Sequence, residues 1–202
     1  ALFIVLSPLI GFVLGYVLMG ISLQCSRGRS YHRMTALFRG LQLASSAFFS
    51  LGHGSNDAQK VAGLITALLA ANNLLEKSAE IPYWVLFTCY TVIGLGTLMG
   101  GWRVIRTLGV KMTKLRPVGG FSAETGGALT LVVTALGGIP VSTTHTITGA
   151  IMGVGATDRL SAVRWGVALN IVIAWITTLP ACALVSALVL WLLQALDVRC
   201  FN

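Results

Sequence analysis

The sequence predicts an all-α membrane protein, a transmembrane helix bundle that contains one broken helix and one re-entrant helical hairpin. Composition is the first reason: 55% of the 202 residues are hydrophobic, only 10% are charged, and the mean hydropathy is +0.84. Soluble domains carry about 25% charged residues, so a fully water-facing surface is excluded. Four uncharged runs also reach the ~20 residues that cross a bilayer, namely 1–26, 81–102, 125–157 and 165–196. None alternates with period two, which favours helices over a β-barrel.

The first predicted span covers residues 2–24. Basic residues between positions 27 and 39 follow it, which is a stop-transfer pattern and not that of a cleaved signal peptide. The chain begins at Ala1 without a methionine. We therefore expect a fragment of a longer chain, in which residues 1–202 form a single transmembrane domain.

The formal net charge of +8 comes from basic residues in short loops at the ends of the apolar runs. This placement indicates membrane orientation instead of nucleic-acid binding. The positive-inside rule puts three basic loops in the cytoplasm of a multi-pass plasma-membrane protein: 27–39, 103–116 and 159–164. In the predicted path, residues 2–24 run inward, 40–74 outward and 82–102 inward again. Residues 118–157 leave the cytoplasmic side and return to it, and residues 165–194 run outward.

The second span, 40–74, carries the polar sequence GHGSND at residues 52–57. Glycines weaken a helix, and Ser, Asn and Asp are preferred N-caps, so we expect a break here with a new helix starting near Ala58. A broken helix presents free N–H groups and the positive end of its dipole to the membrane interior. Its unwound carbonyls, together with the side chains of Asn56 and Asp57, are predicted to hold a small cation.

Asp57 is costly at this position, since an aspartate at the bilayer centre costs about 2.5–3.5 kcal/mol on insertion scales. Lys60 lies three residues later and can offset part of this cost as a helical partner. One interpretation is that the two residues form only a salt bridge, or lie near the membrane interface. The other, which we adopt, is that an intramembrane carboxylate beside a helix break marks a functional site.

The segment 118–157 is interrupted near its middle by Gly137, Gly138 and Pro140. It therefore predicts either two full spans or, as we prefer, a re-entrant hairpin whose polar tip is buried in protein or lines a wet cavity. The tip continues as PVSTTHT, residues 140–146, where clustered hydroxyls and helix-start N–H groups suit a tetrahedral oxyanion. The alternative is that these hydroxyls bond back to helix carbonyls, as Ser and Thr often do in membranes.

Three further polar residues accompany the two breaks. His53 and His145 can each donate to an anion, carry a proton or merely pack against a neighbouring helix. Glu124 lies near the predicted cytoplasmic end of its helix, where we expect it to reach water.

The motifs GSND (54–57) and PVSTTH (140–145) together resemble the paired signatures of the inorganic phosphate transporter (PiT) family. The resemblance extends over essentially the whole chain and is to the C-terminal repeat of a bacterial low-affinity phosphate transporter. It implies half of an inverted-repeat secondary transporter, whose missing N-terminal repeat belongs to the same longer chain or to a separate polypeptide. The commoner family string is GANDVANA. Here Ser55 replaces the first alanine, and Gln59 and Lys60 occupy the following Ala-Asn positions.

The resemblance implies symport of inorganic phosphate with H⁺ or Na⁺ across a bacterial inner membrane, in contact with lipid and with oligomers allowed. No cofactor is expected, although phosphate carried with a divalent metal stays open. The implied phosphate-binding residues are Ser142, Thr143, Thr144, Gly54 and Ser55. The implied coupling-ion residues are Asn56 and Asp57, and His145, His53 and Lys60 are the candidates for a proton or anion role.

Three alternatives remain. A sulfate permease of the same superfamily would share the architecture. A non-transporting partner subunit or remnant would explain a single repeat. An intramembrane hydrolase would use Ser142 and His145, which lie three residues apart, but the sequence lacks a G-x-S-x-G elbow. We therefore predict a transporter and not an enzyme.

Overall fold

The computed structural model describes residues 2–76 and 80–195. This part of the chain contains no β-strand, which confirms the predicted all-α class. The helices are α1 (Leu2–Ser26), α2 (Tyr31–Ala71), α3 (Tyr83–Arg106), α4 (Pro117–Leu136), α5 (Thr143–Asp158) and α6 (Trp165–Ala195). A π-helical segment, Thr107–Met112, continues α3, and a short 3₁₀ turn, Leu160–Ala162, follows α5.

Three helical segments among the described residues are long and apolar enough to cross a membrane: Leu2–Ser26, Tyr83–Met112 and Trp165–Ala195. They correspond to the spans predicted at 2–24, 82–102 and 165–194. Arg103 and Arg106 lie in the last turn of α3, at the predicted cytoplasmic end. The orientation of the loops stays a prediction.

The chain divides into two compact units, Ala1–Val163 and Arg164–Asn202. In the first unit, α1 packs against α4 and α5, and α2 packs against α3 and α4. The second unit is built on α6, a helix of 31 residues with Pro180 inside it. The prediction of one domain over residues 1–202 stays a prediction.

Glycines allow α1 and α5 to approach each other at backbone distance. Gly11 and Gly15 on α1 face α5, and Gly149 and Gly153 on α5 face α1. A Cβ atom added to Gly153 would overlap the carbonyl oxygen of Phe12, and the other three would also meet the facing backbone. Small residues spaced four apart on both helices are a typical close-packing arrangement in membranes, where van der Waals contact replaces the hydrophobic driving force.

This contact predicts that Gly153→Ala lowers stability, by about 1–3 kcal/mol, because the added methyl group must push the two backbones apart. Thermal unfolding in detergent measures the effect. The matched control is Gly94→Ala on α3, where an added Cβ meets no other atom within 4 Å. The control is expected to be neutral or slightly stabilising, since alanine has the higher helix propensity. Equal melting temperatures for both variants would contradict the packing described.

The predicted break in the second span is wrong. The helix α2 runs without interruption over 41 residues, through the whole of the GHGSND segment. Two interior glycines cost only about 1 kcal/mol each, which tertiary packing can offset. Asn56 does not cap a helix, because its side chain donates to the carbonyl oxygen of Gly52 one turn earlier, at 2.9 Å. Gly54 and Ser55 therefore lie inside a helix, and no helix N-terminus offers free N–H groups there.

The predicted interruption of the 118–157 segment is present. The helix α4, of 20 residues, ends at Leu136, and α5, of 16 residues, packs against it after the connection 137–142. Gly138 adopts φ +64°, a conformation that favours glycine. Helices of these lengths are about 30 Å and 24 Å long, so α5 is shorter than a full span requires. The re-entrant placement in a membrane stays a prediction.

Candidate functional site

The carboxylate of Asp57 is the centre of a hydrogen-bonded cluster between α2 and the start of α5. Its Oδ2 accepts from the hydroxyl of Thr143 at 3.0 Å and lies 3.2 Å from Nδ1 of His53. Its Oδ1 lies 3.4 Å from the ammonium group of Lys60. The side chains of Asp57, His53 and Lys60 are 30%, 34% and 39% exposed, so each is partly open at the surface of the described structure.

Thr143 connects the cluster to the second motif. It is 2% exposed, and its hydroxyl lies 2.8 Å from Nδ1 of His53. Because the Thr143 hydroxyl donates its one proton to Asp57, it must accept from His53, which assigns the Nδ1–H form to that imidazole. The ring of Phe49 stacks on His53, with centroids 6.2 Å apart and planes 6° from parallel. These contacts hold the imidazole in one orientation.

Lys60 connects α2 to the connection between α4 and α5. Its ammonium group donates to the carbonyl oxygen of Val141 at 2.6 Å, a shorter contact than the one it makes with Asp57. Val141 is 3% exposed and lies outside any helix, so its carbonyl oxygen is free to accept from a side chain. The sequence singled out Lys60 as a partner of Asp57 and as a candidate for a proton or anion role, and nothing in the sequence pointed to Val141.

Ser142 serves α5 as its N-cap and accepts from the backbone N–H of His145 at 3.4 Å. The hydroxyl of Thr146 bonds back to the carbonyl of Ser142 at 2.9 Å, which is the local bonding that the sequence left open. Thr144 is exposed. Of the clustered hydroxyls, therefore, only that of Thr143 enters the Asp57 cluster.

The two histidines differ in their surroundings. His53 lies in the Asp57 cluster, whereas His145 hydrogen bonds with the backbone of Ile4 on α1. The hydroxyl oxygen of Ser142 accepts from the backbone N–H of His145, which is the local bonding of a helix N-cap.

A second polar contact between α2 and α4 went unpredicted. The hydroxyl of Ser45 donates to Oε2 of Glu124 at 2.7 Å and approaches the carbonyl of Gln42 at 2.9 Å. Glu124 is half-buried and one of its carboxylate oxygens is hydrogen bonded, and the expectation that it reaches water stays a prediction. The sequence signal for this contact was a single acidic residue, Glu124, inside an otherwise uncharged helix. Its partner, Ser45, is identified only by the packing of α2 against α4.

Known proteins resemble this chain over most of its length. Residues 21–186 match the model of the phosphate transporter family. The chain is 55% identical over 185 residues to the probable low-affinity inorganic phosphate transporter of Rhizobium meliloti (strain 1021), covering 92% of this chain and 55% of that protein. It is 42% identical over 191 residues to the probable low-affinity inorganic phosphate transporter of Bacillus subtilis (strain 168), covering 95% and 57%.

A solved structure described as the sodium-dependent phosphate transporter is also similar, with a TM-score of 0.78 and 27% identity. That likeness covers 96% of this chain and 66% of the other. The chain spans about half the length of the curated relatives named above, as a single repeat would.

These matches confirm the resemblance read from the two motifs, and the apolar helices make the chain part of a multi-pass membrane protein. The family and the relatives named above are phosphate transporters and not enzymes, in agreement with the class predicted from the sequence. From its motifs, its fold and its relatives, the chain belongs to the phosphate transporter family.

Proposed function

We propose that this chain is one half of a secondary transporter that carries inorganic phosphate across the bacterial inner membrane together with H⁺ or Na⁺. The observation that supports the proposal is the hydrogen bond between Asp57 and Thr143, which joins the two motifs across 86 residues. A carboxylate, an ammonium group, an imidazole and one hydroxyl meet there at a partly exposed position. Charged side chains are costly in an ordinary helix–helix interface within the membrane. Their presence together favours a binding site for transported ions.

The anion would bind at the start of α5, beside this cluster. The exposed hydroxyl of Thr144, the half-buried Ser142 and the N-terminal N–H groups of α5 are the nearest donors. Gly54 and Ser55 would line the site from α2. Because they lie inside this helix, their backbone N–H groups would not bind the anion. An added Cβ at Gly54 meets nothing within 4 Å, so there is room beside it.

Asp57 would favour phosphate over sulfate. Phosphate near neutral pH still carries a proton and donates a hydrogen bond, whereas sulfate only accepts. A carboxylate beside the anion therefore accepts from phosphate but repels sulfate. Transport of sulfate, which is also a tetrahedral oxyanion, remains the alternative.

Alternating access would require the α4–α5 pair to move against α2. The contacts that cross this boundary at the site are Thr143 with Asp57 and Lys60 with Val141, and each would have to loosen and reform. Binding of a coupling ion at Asn56 and Asp57 would favour anion binding, because opposite charges attract strongly in a low-dielectric cavity. The basic loops would face the cytoplasm.

The test is uptake of labelled phosphate by liposomes that contain the complete transporter to which this chain belongs. Sodium and proton gradients are imposed separately, and excess sulfate is added as competitor. We expect accumulation driven by one of the gradients and little competition from sulfate. Equal inhibition by sulfate and phosphate would favour a sulfate permease, and uptake that is independent of both gradients would contradict symport.

A non-transporting partner is tested in the same system. The chain inserted alone is expected to show no uptake, and co-expression with the other repeat is expected to restore it. Failure of that restoration would favour the partner or remnant.

A further inference from the structure

The ammonium group of Lys60 has an unusual pair of oxygen neighbours. The carbonyl oxygen of Val141 lies at 2.6 Å and Oδ1 of Asp57 at 3.4 Å, and they come from two different elements of the fold. A carboxylate oxygen and a carbonyl from non-helical backbone are the ligands that transporters use for small monovalent cations. Lys60 therefore lies where such a cation would be coordinated.

The other oxygen of the same carboxylate has different partners. Oδ2 of Asp57 is occupied by Thr143 and His53, whereas within the described part of the chain Lys60 is the one donor that reaches Oδ1. Removal of the ammonium group would leave Oδ1 and the Val141 carbonyl without their shared positive partner. Both oxygens would remain in place, Oδ1 on α2 and the carbonyl oxygen in the connection 137–142.

We propose that Lys60 is a built-in cation, whose ammonium group takes the place of a sodium ion between Asp57 and Val141 and so prevents this half of the transporter from binding sodium there. The inference rests on the proposed function only in taking transport to be coupled to a cation. Sodium is thereby excluded as the coupling ion at this position. It also makes Lys60 a determinant of cation specificity instead of a simple helix-stabilising partner.

A purely structural salt bridge would behave differently. An exposed pair three residues apart on one helix contributes only a few tenths of a kcal/mol, and its loss is not repaired by a particular cation in solution. A built-in cation, once removed, leaves a vacancy that a metal ion of suitable size can fill. Sodium-specific rescue therefore separates the two interpretations.

The experiment compares thermal unfolding of the complete transporter in detergent, in NaCl and in choline chloride at equal ionic strength and without phosphate. In Lys60→Ala, we expect the rise in melting temperature caused by sodium to exceed that of the wild type by about 3 °C, because a ligand that binds only the folded state stabilises it. Equilibrium binding of radioactive sodium is expected to increase by one ion per chain. Lys60→Arg keeps the positive charge and is expected to match the wild type in both measurements.

Two further variants make the result specific. Lys60→Met is neutral, similar in length to lysine and unable to donate to Val141, so it provides a second vacated site if Lys60→Ala does not fold. The double variant Asp57→Asn with Lys60→Ala removes the anionic ligand and is expected to lose the additional sodium effect. Equal sodium responses in the wild type and in the neutral variants, with unchanged sodium binding, would overturn the inference. Because neither measurement involves phosphate, this outcome is distinguishable from a failure of the proposed transport function.

Discussion

Replacement of Asp57 by asparagine is expected to reduce phosphate uptake by roughly 100-fold or more. The variant keeps the shape of the side chain but removes the charge that Lys60, His53 and Thr143 surround. Lys60 is then left without its counter-charge in a partly desolvated site, and no carboxylate is available to sense a cation or to accept from phosphate. Initial rates of labelled phosphate uptake in liposomes measure the loss.

The matched control for Asp57 is Thr88→Ala on α3. Thr88 is exposed and its hydroxyl only bonds back to the carbonyl of Trp84, at 2.7 Å, within the same helix. Its removal is expected to leave uptake largely intact. Both variants are checked for equal insertion and for a single species in gel filtration. Uptake near the wild-type rate in Asp57→Asn would argue against the site as a whole.

Replacement of Thr143 by valine is the second large expected effect. Valine fills nearly the same buried volume but removes the hydroxyl that joins Asp57 to His53. A hydrogen bond to a charged group contributes about 1.5–3 kcal/mol, so we expect uptake to fall by about 10-fold or more. The apparent affinity for phosphate is expected to weaken as well, because Thr143 positions the start of α5. Uptake measured over a range of phosphate concentrations separates the two effects.

Two comparisons make the Thr143 result interpretable. Thr143→Ser retains the hydroxyl and is expected to recover most of the activity. Thr66→Val removes a hydroxyl from a buried position of α2 that only bonds the carbonyl of Ala62, at 2.9 Å. It controls for the exchange of threonine for valine in a helix interior. If Thr143→Ser failed as severely as Thr143→Val while Thr66→Val remained active, side-chain packing and not the hydroxyl would be the important property.

The motif residues themselves show why some predictions succeeded and others failed. A polar cluster inside a long apolar segment can be recognised from the chain alone, so Asp57 and Thr143, which the structure brings together, were both singled out as candidate site residues. The prediction of a helix break at GHGSND was wrong. Glycine and capping preferences contribute only about 1 kcal/mol each, and tertiary packing can override such local preferences. The connection at 137–142 was predicted correctly because proline and two glycines, one of them in the left-handed region, act together there.

By itself, the sequence determined that this protein lies in a membrane, where three of its spans run and which two polar segments are the candidates for its site. These properties follow from composition and from the length of apolar runs, which are additive along the chain. Only the tertiary structure decided that α2 is continuous, that Thr143 reaches Asp57 and that Lys60 binds the carbonyl of Val141. Those contacts depend on how α2, α4 and α5 pack, and packing joins residues more than 80 positions apart, beyond any local preference of the chain.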